Sequence, residues 1–197
     1  MPKPDTWCQY AAGMRLAFPD PALTAAGVVL RRADTADMAW ITAACSDREL
    51  SRYAPAIPYP YSESDARAFV RRAAQEWAEG SGATFVIAQA PESGGLGVVA
   101  LHLPTADPGL AGIGYWLRRE ARGHGAATTA VRLVSRWAIE SLGIKRLSLE
   151  TAPENTASQR VAERAGFSRE GRLRAWMPTS AGRRDSVMFS MLPGEQS

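Results

Sequence analysis

Apolar residues recur along this chain at two spacings, and each predicts a kind of element. Val28-Val29-Leu30-Arg31 is a short apolar run that predicts a strand. Ala33-Asp34-Thr35-Ala36-Asp37 follows with good capping side chains, so a helix is predicted from there to about Cys45. Over 54–61, Pro55, Pro58 and Pro60 stand among Tyr53, Tyr59 and Tyr61. Proline fixes φ and removes an amide donor, so a stiff aromatic loop is predicted there. Ser62-Glu63-Ser64-Asp65 caps a second helix, over 65–79, whose Phe69, Ala73 and Trp77 are four residues apart on one face. The runs 84–89 and 97–103 predict two strands joined by the turn Pro91-Glu92-Ser93-Gly94-Gly95, hence a hairpin. Another short strand is predicted over 113–117. Residues 126–141 carry Ala130, Leu133, Val134, Trp137 and Ala138 on a helical stripe closed by Gly143. Alternation of Leu147 and Leu149 with Ser148 and Glu150 gives a strand over 146–151. A capped helix over 155–165 ends at Gly166, and two last strands, 167–174 and 185–192, flank a glycine-containing hairpin. The order β, α, α, β, β, β, α, β, α, β, β predicts an α/β protein with a mixed sheet.

Residues 1–26, with Pro2, Pro4, Gly13, Pro19 and Pro21, show no sustained period and read as a partly ordered extension before one domain over 27–197. A chain of 197 residues that is 46% hydrophobic suits one domain with its own core and excludes disorder throughout. No stretch approaches the roughly 18 apolar residues that cross a bilayer. The start Met1-Pro2-Lys3-Pro4-Asp5 lacks the basic-then-apolar layout of a secretion signal, so a soluble, cytoplasmic protein without membrane partners is expected. Cys8 and Cys45 lie far apart and fit neither a metal site nor a disulfide framework; reduced thiols and no metal are expected. The net charge of +3, with nearly all the bases Arg, permits an anionic partner without requiring one.

The segment Tyr115-Trp116-Leu117-Arg118-Arg119-Glu120-Ala121-Arg122-Gly123-His124-Gly125-Ala126-Ala127-Thr128 carries the chemistry. A strand runs through a glycine-containing turn straight into an amphipathic helix, so free amides converge beside an Arg, which suits a phosphate. Small residues at 123, 125, 126 and 127 let a ligand approach the backbone. On local spacing alone, a plain tight turn explains Gly123 and Gly125 equally well. Other phosphate motifs fail: G-x-x-x-x-G-K-[ST] is absent, and Gly95-x-Gly97-x-x-Ala100 leads into a strand where the dinucleotide fingerprint needs a helix.

Arg122-x-x-Gly125-x-Ala127 resembles the acyl-CoA pyrophosphate loop of the GCN5-related N-acetyltransferases (GNAT). Gly112-Ile113-Gly114-Tyr115-Trp116-Leu117, the run Asn155-Thr156-Ala157-Ser158-Gln159-Arg160 on to Gly166-Phe167, Glu170-Gly171 and Arg184-Asp185-Ser186-Val187 are similar to the RimJ/RimL branch, which includes ribosomal-protein N-terminal acetyltransferases. The resemblance spans about residues 28–192. It implies a twisted mixed sheet whose fourth and fifth strands splay apart to admit acetyl-CoA. Pantetheine would bond to the strand edge at Tyr115, Trp116 and Leu117, and the pyrophosphate would sit on amides of Gly123, His124, Gly125, Ala126 and Ala127, near Arg119 and Arg122. Arg160 and Arg164 either reach a far phosphate or face solvent.

The reaction so implied is attack of a free primary amine on the thioester in a ternary complex, which needs a proton acceptor and help for the leaving thiolate. Many relatives use a Tyr ahead of the Gly-Phe pair, where this chain has Ala162. Ser158, in the first helical turn and matching a Ser of the branch, takes over that expectation, although a merely polar first-turn role also suits it. Asn155 suits an N-cap, with ligand contact as an addition. Gly112 stands where many relatives carry an acid, so Glu150 at the end of the fifth strand is the first substitute base. His102 is a second candidate, although a lone strand His is more often structural; Glu63 belongs to a cap, and a bound water is the remaining route. Corresponding regions of relatives imply an acceptor pocket walled by Trp40, Tyr59, Tyr61 and Trp176, although aromatics here also suit covering the core edge. The expected acceptor is a protein N-terminus or a small amine. The rivals are a longer acyl donor, a degenerate acyl-CoA sensor and, third, a basic nucleic-acid binder. Homodimers are common in the family.

Overall fold

The computed structural model describes residues 16–104, 107–179 and 182–196. Its strands are β1 (Thr24–Ala25), β2 (Val28–Arg31), β3 (Gly82–Ala88), β4 (Gly97–His102), β5 (Leu110–Leu117), β6 (Arg146–Thr151), β7 (Ser168–Thr179) and β8 (Gly182–Met191). Its helices are α1 (Met38–Cys45), α2 (Arg48–Tyr53), α3 (Glu63–Glu79), α4 (Ala126–Glu140) and α5 (Thr156–Arg164), with 3-10 turns at Thr35–Asp37 and Arg119–Ala121. The predicted order holds with two additions. One is β1, which pairs antiparallel with β2. The other is α2, whose six residues are too few to show a period and whose cap, Asp47, accepts from the Glu49 amide. Residues 1–15 of the expected extension, with Cys8, lie outside the described residues. Leu16 is buried in the core and Phe18 packs on Trp77 and Phe85.

The strands form one sheet in the order β1-β2-β3-β4-β5-β6-β8-β7, antiparallel at every junction except β5 with β6. Because side chains alternate across a strand, Ala83, Phe85 and Ile87 of β3, Val99 and Leu101 of β4, and Ile113 and Leu117 of β5 share one buried face. Against it lies the apolar stripe of α4, in which Ala130, Val131, Val134, Trp137 and Ala138 are buried. Val131 joins the predicted stripe, and Leu133 packs at its margin, half-buried. Each large apolar side chain hidden in this way contributes ~1.5–3 kcal/mol. A second cluster, Ile41, Cys45, Leu50, Ala66 and Val70, gathers α1, α2 and α3 around Trp116 of β5. On α3 the buried residues are Ala66, Val70, Ala73 and Trp77; Phe69 is half-buried beside the second cluster.

One junction positions the site. β4 follows β5 along its length, from Gly112 to Leu117. The parallel partner β6 meets β5 only where Leu110, Ala111 and Gly112 face Arg146, Leu147 and Ser148. Beyond Gly112 the two strands part, leaving one edge of Ile113–Leu117 without a ladder partner among the described residues while β6 continues along β8 to Thr151. These are the fourth and fifth strands of the sequence-based prediction, renumbered because of β1.

Candidate active site

A cleft of about 1140 Å³ opens where β5 and β6 part. One end is made mostly of backbone. The chain leaves β5, makes the turn Arg119–Ala121, and enters α4 through Gly123 and Gly125, both at φ +84. That left-handed conformation favours glycine, and a Cβ at either position would project into open space at the cleft wall. Gly125 is the N-cap of α4 and supplies no side-chain acceptor, and the first α4 hydrogen bond to its carbonyl comes from Thr129. Among the described residues, the amides of Gly123 to Thr128 therefore meet no protein acceptor. They form an unsatisfied donor set at the positive end of a 15-residue helix. A diphosphate fits this corner on three counts: donors without partners, small side chains at 123 and 125–127, and a strand edge leading away from it.

Arg122 stands beside the corner with its guanidinium engaged. It donates to Glu49 Oε2 at 2.8 Å, to Asp47 Oδ2 at 3.1 Å and, through Nε, to the Leu117 carbonyl at 3.2 Å. Arg119, which does not line the cleft, pairs loosely with the same two carboxylates. Burial alone would raise the Asp47 pKa. The Glu49 amide and the two arginines outweigh it and hold the carboxyl below its ordinary range. The side chain of His124 is exposed and lies outside the cleft lining, as does that of Ala126.

At the middle of the cleft the structure joins two residues that the sequence places 43 apart. The Tyr115 hydroxyl donates to Ser158 Oγ at 3.0 Å, bridging β5 and α5 across the parting. Burial pushes the Tyr115 phenol up to about 12 against a smaller opposing effect of that bond. It therefore stays protonated near neutral pH. Asn155 accepts from the Ser158 amide at 3.0 Å, the N-cap role expected of it, and this fixes the first turn of α5 from which Ser158 projects. Ala162 is fully buried. Sequence reasoning placed Tyr115 at the strand edge beside the acyl site but did not foresee the bond from its hydroxyl to Ser158. No spacing rule connects residues 115 and 158.

Gly112, Gly114, Ser148 and Glu150 lie on the opposite sheet face from Tyr115 and form part of the cleft floor. His102 is the cross-strand partner of Gly112, and its Nε2 lies 3.3 Å from where a Cβ on Gly114 would be. Gly114 thus makes room for an imidazole on the neighbouring strand. Glu150 is exposed at the cleft, with no ion pair among the described residues. Glu63 pairs with Arg67 and stands apart from the site. Tyr61 and Trp176 line the cleft; Tyr59, 57% exposed, does not, although its neighbour Pro58 does. Trp40 lies outside the cleft lining. Its ring packs on Trp116 and Gly95, its Nε1 donates to Asp37 at 2.6 Å, and it borders a separate smaller hollow. Arg160 and Arg164 line the cleft near α5. The Cys45 thiol is buried and pushed up to about 12, which leaves it a poor nucleophile. Among the described residues no cluster of metal-ligating side chains occurs, and no helix is long and apolar enough to cross a membrane.

Comparison with known proteins bears on what such a cleft is for. The acetyltransferase (GNAT) domain model matches residues 28–168. The putative ribosomal N-acetyltransferase YdaF of Bacillus subtilis is 34% identical over 99 residues, covering 50% of this chain and 54% of that protein. The match therefore spans about half the length of that relative. The uncharacterized N-acetyltransferase p20 of Bacillus licheniformis is 28% identical over 168 residues, 85% of this chain and 94% of the relative. Among solved structures, the ribosomal L7/L12 α-N-protein acetyltransferase RimL in complex with coenzyme A superposes with a TM-score of 0.77. It is 20% identical, over 87% of this chain and 97% of that one. At that identity the likeness establishes the fold.

Proposed function

The chain belongs to the acetyltransferase (GNAT) family, and from that premise we propose that it moves an acetyl group from acetyl-CoA directly to a primary amine, with a protein N-terminal α-amine first among acceptors. The carrying observation is the parting of β5 and β6 beside a helix start whose amides have no acceptors. Amides of Gly123 to Ala127 hold the diphosphate, and the free edge at Tyr115, Trp116 and Leu117 holds the pantetheine as an added strand would. The donor supplies the acetyl group as an activated thioester; the chain's own residues supply the rest.

An incoming amine is useful only as its free base. Glu150 accepts the proton, being exposed at the cleft and free of any ion pair among the described residues. Ser158 donates to the departing sulfur. Because Tyr115 already donates to its Oγ, the Ser158 hydrogen is left to point into the cleft. Holding both reactants in one cleft supplies much of the remaining acceleration without a covalent enzyme intermediate. The similarity to YdaF, a putative ribosomal N-acetyltransferase, and to the L7/L12 α-N-protein acetyltransferase RimL supports the protein acceptor.

The test is thiol release from acetyl-CoA with peptides starting in Ser, Ala or Met, free amino acids and aminoglycosides, followed by mass spectrometry of the product. Acetylation of a peptide α-amine supports the reading. Acetyl-CoA binding with no thiol release from any amine would instead favour a sensor, which fits the replacement of the usual Tyr by buried Ala162.

A further inference from the structure

Resting on that reading, the geometry points to an acidic polypeptide as the acceptor: the cleft mouth is an arginine rim that selects negative charge in the residues following the acetylated amine. Two walls form the mouth, α2 with the loop 54–61 on one side and the β7–β8 hairpin on the other. They carry Arg184 on β8, which lines the cleft itself, and around it Arg183 on β8, Arg172 and Arg174 on β7, and Arg48 and Arg52 on α2, all of which stand outside the lining. Their elements contain carboxylates that are already engaged. Glu49 accepts from Arg122 at 2.8 Å, Asp185 from Arg172 at 2.7 Å, and Glu170, at the far end of β7, from Arg146 at 2.8 Å. Among the described residues, Arg48, Arg52, Arg174, Arg183 and Arg184 have no carboxylate within ion-pair distance.

Their contacts fix these groups in place without neutralising them. Arg184 donates to the carbonyls of Arg52 at 2.7 Å and Tyr53 at 3.1 Å, tying the hairpin to the end of α2. Arg183 donates to the carbonyls of Ala175 and Trp176. The guanidiniums of Arg48 and Arg52 lie over the rings of Tyr59 and Tyr53, 5.9 and 5.4 Å from the centroids. The ladder slips between Leu173 and Met177, so Arg174, Ala175 and Trp176 stand out of register at the mouth. Trp176 and Tyr59 are 50% and 57% exposed, offering flat apolar faces between the charges. Other bases of the chain also lack an ion pair, but these five arginines come together on two walls that Arg184 ties to each other beside the cleft. Such a field draws a complementary chain in and penalises a like-charged one. The guanidiniums are spread over three elements, which suits several carboxylates along a polypeptide better than one phosphate.

The experiment uses the full chain and two peptides with the same first two residues, Ser-Ala, followed by either Asp-Glu-Asp-Glu or Lys-Arg-Lys-Arg. The acidic peptide is expected to show kcat/KM roughly tenfold higher, mostly through KM, with the gap closing as salt rises. Arg52→Glu with Arg174→Glu, both exposed, is expected to reverse the order while acetyl-CoA affinity, measured by calorimetry, is unchanged. Equal rates for the two peptides, or a basic preference in the native chain, would overturn this inference and leave the peptide reading standing. Turnover of neither peptide beside turnover of a small amine would overturn both. Preference for a phosphorylated amine such as glucosamine 6-phosphate over the acidic peptide would give the rim to a single phosphate and also overturn it.

Discussion

The two ends of the cleft are built from different materials. At the α4 end the working groups are main-chain amides and a strand edge, drawn from one continuous segment, 115–127, and kept open by small side chains. At the other end they are side chains from β4, β6, α2, the 54–61 loop and the β7–β8 hairpin, which are distant in sequence. A backbone-built end works through groups that every residue carries, so it tolerates side-chain change that adds no bulk. A side-chain-built end depends on which residues stand there.

The sharpest way to break the comparison is bulk at the backbone end. Gly125→Trp is expected to weaken acetyl-CoA binding by on the order of 100-fold or more, since a ring there denies the diphosphate at least two charge-assisted bonds. Any side chain at φ +84 adds strain, so Gly125→Asn, which tolerates that conformation, is the control and should retain most affinity. Calorimetric affinity unchanged in Gly125→Trp would remove the diphosphate from this corner.

The same division decides what could be read from the sequence. The backbone end was legible because strand, small-residue turn and amphipathic helix are contiguous; predicted 126–141 matches α4, and 146–151 matches β6 residue for residue. Val28–Arg31 was equally plain, since a short apolar run bounded by capping residues has one good reading. The side-chain end was less so. Tyr115 finds Ser158, and His102 finds Gly112 and Gly114, only through strand register and the parting of β5 and β6. For Trp40 the sequence cannot show which neighbour claims an aromatic near a predicted wall; here Asp37, Gly95 and Trp116 contact it.

Next in size is the junction between the two ends. Ser158→Ala is expected to lower kcat about 100-fold with little change in acetyl-CoA affinity, the pattern of a lost proton donor. Tyr115→Phe removes only the hydroxyl and should cost about tenfold. If Tyr115 acts through Ser158, the double variant is no slower than Ser158→Ala alone. Multiplying effects in kcat would show that Tyr115 works independently.

Within the side-chain end, Glu150→Gln should slow acetylation about tenfold near neutral pH, a modest loss because water reaches an exposed base. The defect should shrink as pH rises and the amine sheds its proton unaided. His102→Gln is the contrasting variant. If it gives the larger, pH-dependent loss while Glu150→Gln behaves as native, the imidazole beside Gly114 is the acceptor and Glu150 is solvated surface.

The smallest effect tests whether the two ends are separate at all. Arg122 belongs to the phosphate corner, yet its guanidinium grips Asp47 and Glu49, the residues that start α2 and so place Arg48, Arg52 and the acceptor wall. Glu49→Gln removes one charge from this link while keeping the shape of a side chain on the cleft wall. Exposed ion pairs of this kind contribute under ~1 kcal/mol, so KM for the peptide should rise about two- to threefold. If the link couples the ends, acetyl-CoA binding should strengthen peptide binding, and the peptide should strengthen acetyl-CoA binding by the same factor, with the factor reduced in Glu49→Gln. The pH dependence has a fixed sign. Asp47 is held below its ordinary range in the folded protein, so its contribution is present above that range and is lost as pH falls through the lowered value. Mutual strengthening that is identical in native and Glu49→Gln proteins would show that the two ends communicate, if they do, by a route other than Arg122.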